Sequence, residues 1–215
     1  ALLSGAEISA PTDGLETTEI DQLGAATRVT LTDRELATLY ALEIGYASGD
    51  GDPDDARDTA YRFNPARRVG MILFSDVLAR LSAREMELQS APSATVRPTN
   101  GAVSNALYMA PRVALTLCDG CVSLEAGGLV AFAPDPWRAE ENPDEPTAGR
   151  LPGGEAKAGA LGYELNAGAT VTFNLETIAH FSIGTQYGLF LPGEALSAFR
   201  HDAVHKWRLL ADVTW

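Results

Sequence analysis

The chain has 215 residues, of which 46% are hydrophobic and 21% charged, and 16 basic against 29 acidic side chains leave a net charge of −13. This balance excludes a duplex DNA-binding protein, which needs a basic face to neutralise phosphates. No apolar run approaches the about 20 residues of a transmembrane helix. The first residues lack the basic and apolar regions of a secretory signal, so we expect a mature chain or a piece of a longer one.

Strict alternation of apolar with polar or small residues is the strongest pattern in the sequence, and it predicts β-strands. In chain order, the predicted strands lie at residues 2–8, 23–31, 40–46, 107–117, 122–132, 163–173, 181–191 and 207–215. These eight strands are longer than the about 5–6 residues common in soluble sheets. Six of the eight spans have 9–11 residues, about the length that crosses a bilayer when the strand is tilted.

The predicted connections alternate between short and long. Tight turns lie at 32–35, 118–121 and 174–176, whereas long connections lie at 49–103, 134–161 and 192–205. Short turns on one rim and long loops on the other are typical of outer-membrane barrels, in which the short turns face the periplasm. The pattern therefore predicts extracellular long loops that carry much of the acidic charge.

The first long connection, 49–103, holds two further features. Asp50, Asp52 and Asp54 form a weak candidate calcium site, but no glutamate follows at EF-hand spacing and a solvated acidic loop is the simpler explanation of these charges. Apolar residues at helical spacing predict a helix within 69–88, placed either in the barrel lumen as a constriction or on the outer rim. Two additional strands are the alternative for this stretch.

The only two cysteines flank an Asp-Gly pair in Cys118-Asp119-Gly120-Cys121. Asp-Gly favours a two-residue type I′ hairpin turn, and the strand-like flanks support that interpretation. A structural zinc site would need a second pair of thiols, and a redox motif should open a helix. In an oxidising compartment Cys118 and Cys121 can form a disulfide across the turn.

The pattern predicts an all-β fold, namely a transmembrane antiparallel up-and-down β-barrel with about eight strands in this chain. Residues 1–215 then form a single barrel domain, or the C-terminal portion of a larger one. Strands in lipid have to close into a barrel, because an open edge leaves unpaired backbone groups. A soluble jelly roll or sandwich, such as a capsid or binding module, also explains the alternation, but it explains strand length and loop asymmetry less well.

If the apolar faces meet lipid, a mixed set of polar residues faces the lumen: Arg28, Glu43, Arg112, Glu125, Glu164, Asn166, His180, Gln186, Arg208 and Asp212. Eight strands alone leave an interior that side chains fill, which favours an anchor or adhesin, whereas a larger barrel can conduct. We recognise no nucleophile with a base, phosphate loop or paired carboxylates. We therefore predict that the protein is not an enzyme and needs no cofactor beyond the weak calcium candidate.

Several segments in the same order resemble porin-like outer-membrane barrels related to the alginate-export type, over the C-terminal half of that family. They are residues 42–55 (LEIGYASGDGDPDD), 61–65 (YRFNP), 69–74 (VGMILF), 105–108 (NALY), 162–165 (GYEL), 191–193 (LPG) and the terminal Trp215. The similarity extends from about residue 36 to the end of the chain, and no single motif in it is diagnostic.

The resemblance implies a monomeric barrel of the Gram-negative outer membrane, in contact with lipid and lipopolysaccharide, with a water-filled or plugged lumen. It also implies that the barrel-assembly machinery reads the terminal aromatic strand, here through Trp207, Val213 and Trp215. Family members are about twice as long, so further strands or subunits are expected to complete the barrel. The polyanionic substrate of alginate exporters does not carry over, because the lumen-facing set here has mixed charge.

Two functions follow from this interpretation. The first is a porin or exporter that forms a pore or binding site for polar solutes across the outer membrane. The second is a structural or surface-interaction barrel whose acidic loops face outward and which transports nothing. In either case we expect no nucleic acid as a partner.

Overall fold

Seven long strands form one antiparallel sheet. The computed structural model describes residues 6–7, 19–51, 57–88, 98–135, 158–175, 179–196 and 202–214. The strands are β1 (Gly24–Asp33), β2 (Thr38–Ala47), β3 (Ala106–Leu117), β4 (Val122–Ala133), β5 (Gly159–Leu175), β6 (Ala179–Pro192) and β7 (Val204–Thr214). Each strand pairs with the next along the chain. The up-and-down antiparallel architecture is thereby confirmed.

Among the described residues the main sheet has seven strands, against eight predicted for the chain. At the position of the first predicted strand, Ala6–Glu7 pairs with Glu19–Ile20, which pairs with Arg57–Asp58 in a separate three-stranded sheet. The rest of the strand predicted at 2–8 lies outside the described residues. Within the described residues β1 and β7 are free edges of the main sheet, which is therefore open there.

The turn predicted at 32–35 lies two residues later, at 34–37, and the turn predicted at 118–121 lies where it is expected. Between β1 and β2, the Asp33 carboxylate accepts hydrogen bonds from the backbone N–H groups of Glu35 and Leu36 at 3.0 and 3.1 Å. Between β3 and β4, Asp119 and Gly120 have φ values of 53° and 102°, the positive φ that a type I′ turn requires. Cys118 and Cys121 are joined by a disulfide across this turn. The third turn, predicted at 174–176, lies two residues later and outside the described residues.

Proline at position 111 lies within β3, between two neighbouring strands. Pro111 pairs with Leu42 of β2. On the other side, the pairing of β3 with β4 passes from Met109↔Val130 directly to Arg112↔Gly127. Proline has no backbone N–H to donate to a ladder, so this interruption is the local cost of placing it in a central strand.

The segment before β3 contains the one long helix of the described residues. A π-helical turn at Leu73–Leu78 continues into α1 at Ala79–Leu88, four residues later than the predicted start. The alternative of two further strands is wrong. No helix among the described residues is long and apolar enough to cross a bilayer.

The sheet has two chemically different faces. On the face that points away from the helix, alternate side chains are large, apolar and exposed, up to 70% for Trp207 and 86% for Leu209. Residues of this outward face include Val29, Leu31, Tyr40, Leu42, Ile44, Leu107, Met109, Leu124, Tyr163, Leu165, Phe173, Ile183, Leu191, Trp207, Leu209 and Val213. The inward face packs against the helical segment at one end and is polar at the other.

Candidate functional site

The inward face of the sheet divides into an apolar half and a polar half. Near the long connections, Ile72, Leu73 and Phe74 are buried against Tyr108 and Phe190 of the sheet. We call residues 67–78 the inner segment. The start of the helical region therefore packs on the inward face of the sheet. Three polar anchors hold it there.

The first anchor is Glu164 on β5, which is 1% exposed. Its carboxylate accepts hydrogen bonds from three successive backbone N–H groups, those of Met71, Ile72 at 3.1 Å and Leu73 at 2.8 Å. The first N–H groups of a helix have no partner within the helix and attract negative charge. Glu164 thus provides the hydrogen-bond acceptor for the N–H groups at the start of the helical region and connects this region to the sheet.

Two glycines allow this close approach. Gly70 has a φ of +70°, and a Cβ there would lie 2.8 Å from Leu129 Cδ2 and 3.0 Å from both Glu164 oxygens. A Cβ at Gly188 on β6 would lie 2.9 Å from Ile72 Cδ1. A Cβ at either position would make these side chains shift, and Gly70 also favours glycine through its backbone conformation.

The second anchor is a cluster around Glu43 of β2, which is 3% exposed. Its carboxylate accepts hydrogen bonds from Arg28 Nε at 2.8 Å, Arg67 Nη2 at 2.9 Å and the Tyr108 hydroxyl at 2.8 Å. Burial alone would lower the pKa of Arg67, but its hydrogen bond to Glu43 and the charge of that carboxylate raise it overall. Arg67 therefore stays charged and fastens the start of the inner segment to β2.

The third anchor joins the inner segment to the opposite edge of the sheet. Lys206 of β7 donates to the Asp76 carboxylate and, at 3.1 Å, to the Met71 backbone oxygen. The inner segment thus contacts β2 through Arg67 and β7 through Asp76. These strands lie near opposite edges of the sheet, so the sheet must curl around the segment.

A cavity of about 560 Å³ lies beside the inner segment, toward the rim that carries the short turns at 34–37 and 118–121. Arg28 of β1 and Arg208 of β7 both line it, so residues from the two edge strands of the sheet border the same cavity. Arg112 forms an ion pair with Glu125, whose other oxygen accepts a hydrogen bond from Gln186 Nε2 at 2.7 Å. This cavity, with its mixed polar and apolar lining, is the candidate functional site, because it offers guanidinium and amide donors to a bound solute.

Most of the predicted lumen-facing residues converge on this region. The cavity is lined by Arg28, Glu43, Arg112, Glu125, Asn166, Gln186 and Arg208. Glu164 lies under the inner segment instead, and Asp212 lies further along β7, on the side of the short turns. The backbone of His180 pairs with that of Thr214, but its side chain lies outside the described part.

The other predicted site residues have separate positions. Trp207 and Val213 of the expected assembly signal lie exposed on the outward face, and Trp215 lies outside the described residues. Asp50 is described, whereas Asp52 and Asp54 are not. Across the described ranges, no group of three His, Cys, Asp or Glu side chains is placed to hold a metal ion.

Sequence reasoning misses the residues that the inner segment contributes. The local pattern marks Arg67 and Arg68 only as charges flanking a helix, yet Arg67 binds Glu43 and Arg68 lines the cavity. Tyr108 falls on the polar face of its strand, and that alternation is the one available signal for its inward position. Nothing in the local pattern connects Lys206 with Asp76, 130 residues apart.

Comparison with known proteins adds no family to this geometry. No protein-family model matches the chain, and no curated protein matches it. The function therefore has to be argued from the site and the sheet.

Proposed function

We propose that the chain forms an outer-membrane β-barrel of porin or exporter type, or the C-terminal portion of one, whose interior binds or passes polar solutes. One observation carries the proposal: the same seven strands expose large apolar side chains outward and border a cavity with charged and amide side chains inward. A soluble protein rarely exposes a contiguous apolar surface of this extent. In a barrel, that surface faces lipid and the polar face surrounds the lumen.

Strand length and loop asymmetry support the proposal independently. The strands have 10 to 17 residues, enough to cross a bilayer when tilted. The connections at 34–37, 118–121 and 176–178 are short, and those between β2 and β3 and between β4 and β5 are long. This alternation favours a periplasmic short-turn rim and extracellular long loops.

Closure of the barrel needs strands besides the seven. In an up-and-down sheet β1 and β7, the first and seventh strands, run in the same direction. An all-antiparallel barrel therefore needs an odd number of strands between them, supplied by further barrel strands or another subunit. Lipid requires this closure, because each unpaired backbone group costs several kcal/mol in hydrocarbon. Outer-membrane lipid, lipopolysaccharide and the barrel-assembly machinery are the other partners that this proposal implies, the last through Trp207, Val213 and Trp215.

Planar-bilayer recording tests the transport function. We expect discrete conductance steps from the detergent-purified, folded protein. The matched variants are Arg112→Ala, which removes a side chain from the cavity, and Ile183→Ala, which shortens a side chain on the outward face. Arg112→Ala should change the step size and Ile183→Ala should not. Persistent silence of protein that circular dichroism shows to be β-folded would refute the pore.

One observation favours the second function, a surface-interaction barrel without transport. The buried inner segment fills the apolar half of the interior, and its Ile72 and Leu73 are fully buried. If the inner segment never leaves the interior, the protein gives no conductance in planar bilayers but still inserts into outer membranes. Deleting part of the loop at 136–157 should then abolish binding to a surface partner and leave insertion intact.

A further inference from the structure

The charged side chains around the cavity do not balance. Four arginines and two glutamates line it, namely Arg28, Arg68, Arg112 and Arg208 with Glu43 and Glu125. The cavity thus carries an excess of two positive charges in a chain whose net charge is −13. A cleft lined by an excess of one sign of charge focuses the field and concentrates solutes of the opposite sign.

Both carboxylates are already occupied by other groups. Glu43 accepts hydrogen bonds from Arg28, Arg67 and Tyr108. Glu125 is paired with Arg112 and accepts a further hydrogen bond from Gln186. Neither carboxylate is available to attract a cationic solute.

Within the described residues, two of the cavity arginines differ from Arg28 and Arg112 in this respect. Across the described ranges, Arg68 and Arg208 form no ion pair with a carboxylate. Arg68 comes from the inner segment, and Arg208 comes from β7, at the far edge of the sheet. Guanidinium groups bind carboxylate and phosphate oxygens through paired N–H donors.

We propose that this cavity is a binding site for small anionic solutes that carry carboxylate or phosphate groups, held by Arg68 and Arg208. The inference rests on the proposed function, in which the cavity forms the vestibule of the lumen on the short-turn side. The inner segment limits the site to small molecules, because its side chains fill the space between the cavity and the long connections. Arginine-lined pores favour anions over cations by the same electrostatics.

Calorimetric titration of the purified protein in detergent tests the site directly. The probes are citrate and inorganic phosphate, with choline chloride at matched ionic strength as the cation control. We expect citrate or phosphate to bind, and the probe that binds more tightly distinguishes the two ligand chemistries. The double variant Arg68→Gln/Arg208→Gln should weaken this binding at least tenfold, whereas Arg34→Gln in the exposed β1–β2 turn should leave it unchanged.

Reversal potentials in a KCl gradient separate this inference from the pore itself. An anion preference that the double variant lowers at least threefold supports both. Anion binding without conductance supports the site and refutes the pore. A conducting but cation-selective wild type that binds neither probe leaves the pore intact and overturns the anion site. Binding that survives unchanged in the double variant overturns it as well.

Discussion

At the scale of single residues, Glu164 is a buried position whose hydrogen bonds require a carboxylate. It is buried and its carboxylate accepts hydrogen bonds from three backbone N–H groups. Glu164→Gln keeps the shape but places an amide donor against those N–H groups. We expect the free energy of unfolding to fall by about 1–3 kcal/mol, the cost of a buried unsatisfied donor.

Urea unfolding in detergent, followed by tryptophan fluorescence, measures this change. Glu35→Gln is the matched control, because Glu35 is exposed in the β1–β2 turn. Equal unfolding midpoints for the two variants would show that the contacts of Glu164 with the inner segment contribute nothing to stability.

Gly70 combines a positive φ with a crowded position, and two substitutions separate these effects. Gly120 also has a positive φ, of 102°, but a Cβ there would have no neighbour within 4 Å. Gly120→Ala should therefore show only the backbone cost, about 1–2 kcal/mol for a left-handed residue. Gly70→Ala should cost more, because its Cβ meets Leu129 and Glu164. The same urea unfolding measures both, and an equal loss in the two variants would contradict the crowding at Gly70.

At the scale of elements, the inner segment is held between strands that are distant in the sheet. Lys206→Met removes the charged contact with Asp76 and the hydrogen bond to the Met71 oxygen. Partly exposed ion pairs contribute about 1 kcal/mol at most, so local opening should become roughly fivefold more frequent. Hydrogen exchange at the amides of residues 71–78 is the measurement.

Arg208→Met is the control for this experiment. Arg208 lies at the next inward position of β7 but forms neither a hydrogen bond nor an ion pair with the inner segment in the described part of the chain. Its substitution should leave the exchange of residues 71–78 unchanged. Faster exchange in both variants, or in neither, would mean that Lys206 does not anchor the segment.

At the scale of the whole molecule, arginine substitutions at two adjacent leucines test whether the protein is a membrane barrel or a soluble sandwich. Leu209 is 86% exposed on the outward face, and Leu210 follows the inward parity of Arg208. An arginine facing lipid near the bilayer midplane costs about 2–4 kcal/mol. Leu209→Arg should therefore reduce the amount of folded protein in the outer membrane, and Leu210→Arg should be tolerated.

Cell fractionation and heat-modifiable gel mobility measure this difference. A soluble sandwich would give the opposite result. Its wild type would purify without detergent, and Leu209→Arg would improve solubility by removing an exposed apolar side chain.

The sequence by itself determined the meander, its turns and the two faces of each strand. Alternation is a local property, since successive side chains of a strand point to opposite faces. The alternation alone therefore assigns Arg112, Glu125 and Arg208 to the polar face. The short turn at 118–121 likewise follows from local sequence, because Asp119-Gly120 acts on its own neighbouring backbone, whereas the turn predicted at 32–35 lies two residues later, at 34–37.

Only the tertiary structure decided what the polar face encloses. The contacts of Glu43 with Tyr108, of Glu164 with Met71 and of Lys206 with Asp76 join residues 65, 93 and 130 positions apart. Such contacts depend on the registers of several strand pairs together and on the curl of the sheet, which no local period records. The same is true of the inner segment, whose helical pattern predicts an apolar surface to cover but not the face of the sheet that supplies it.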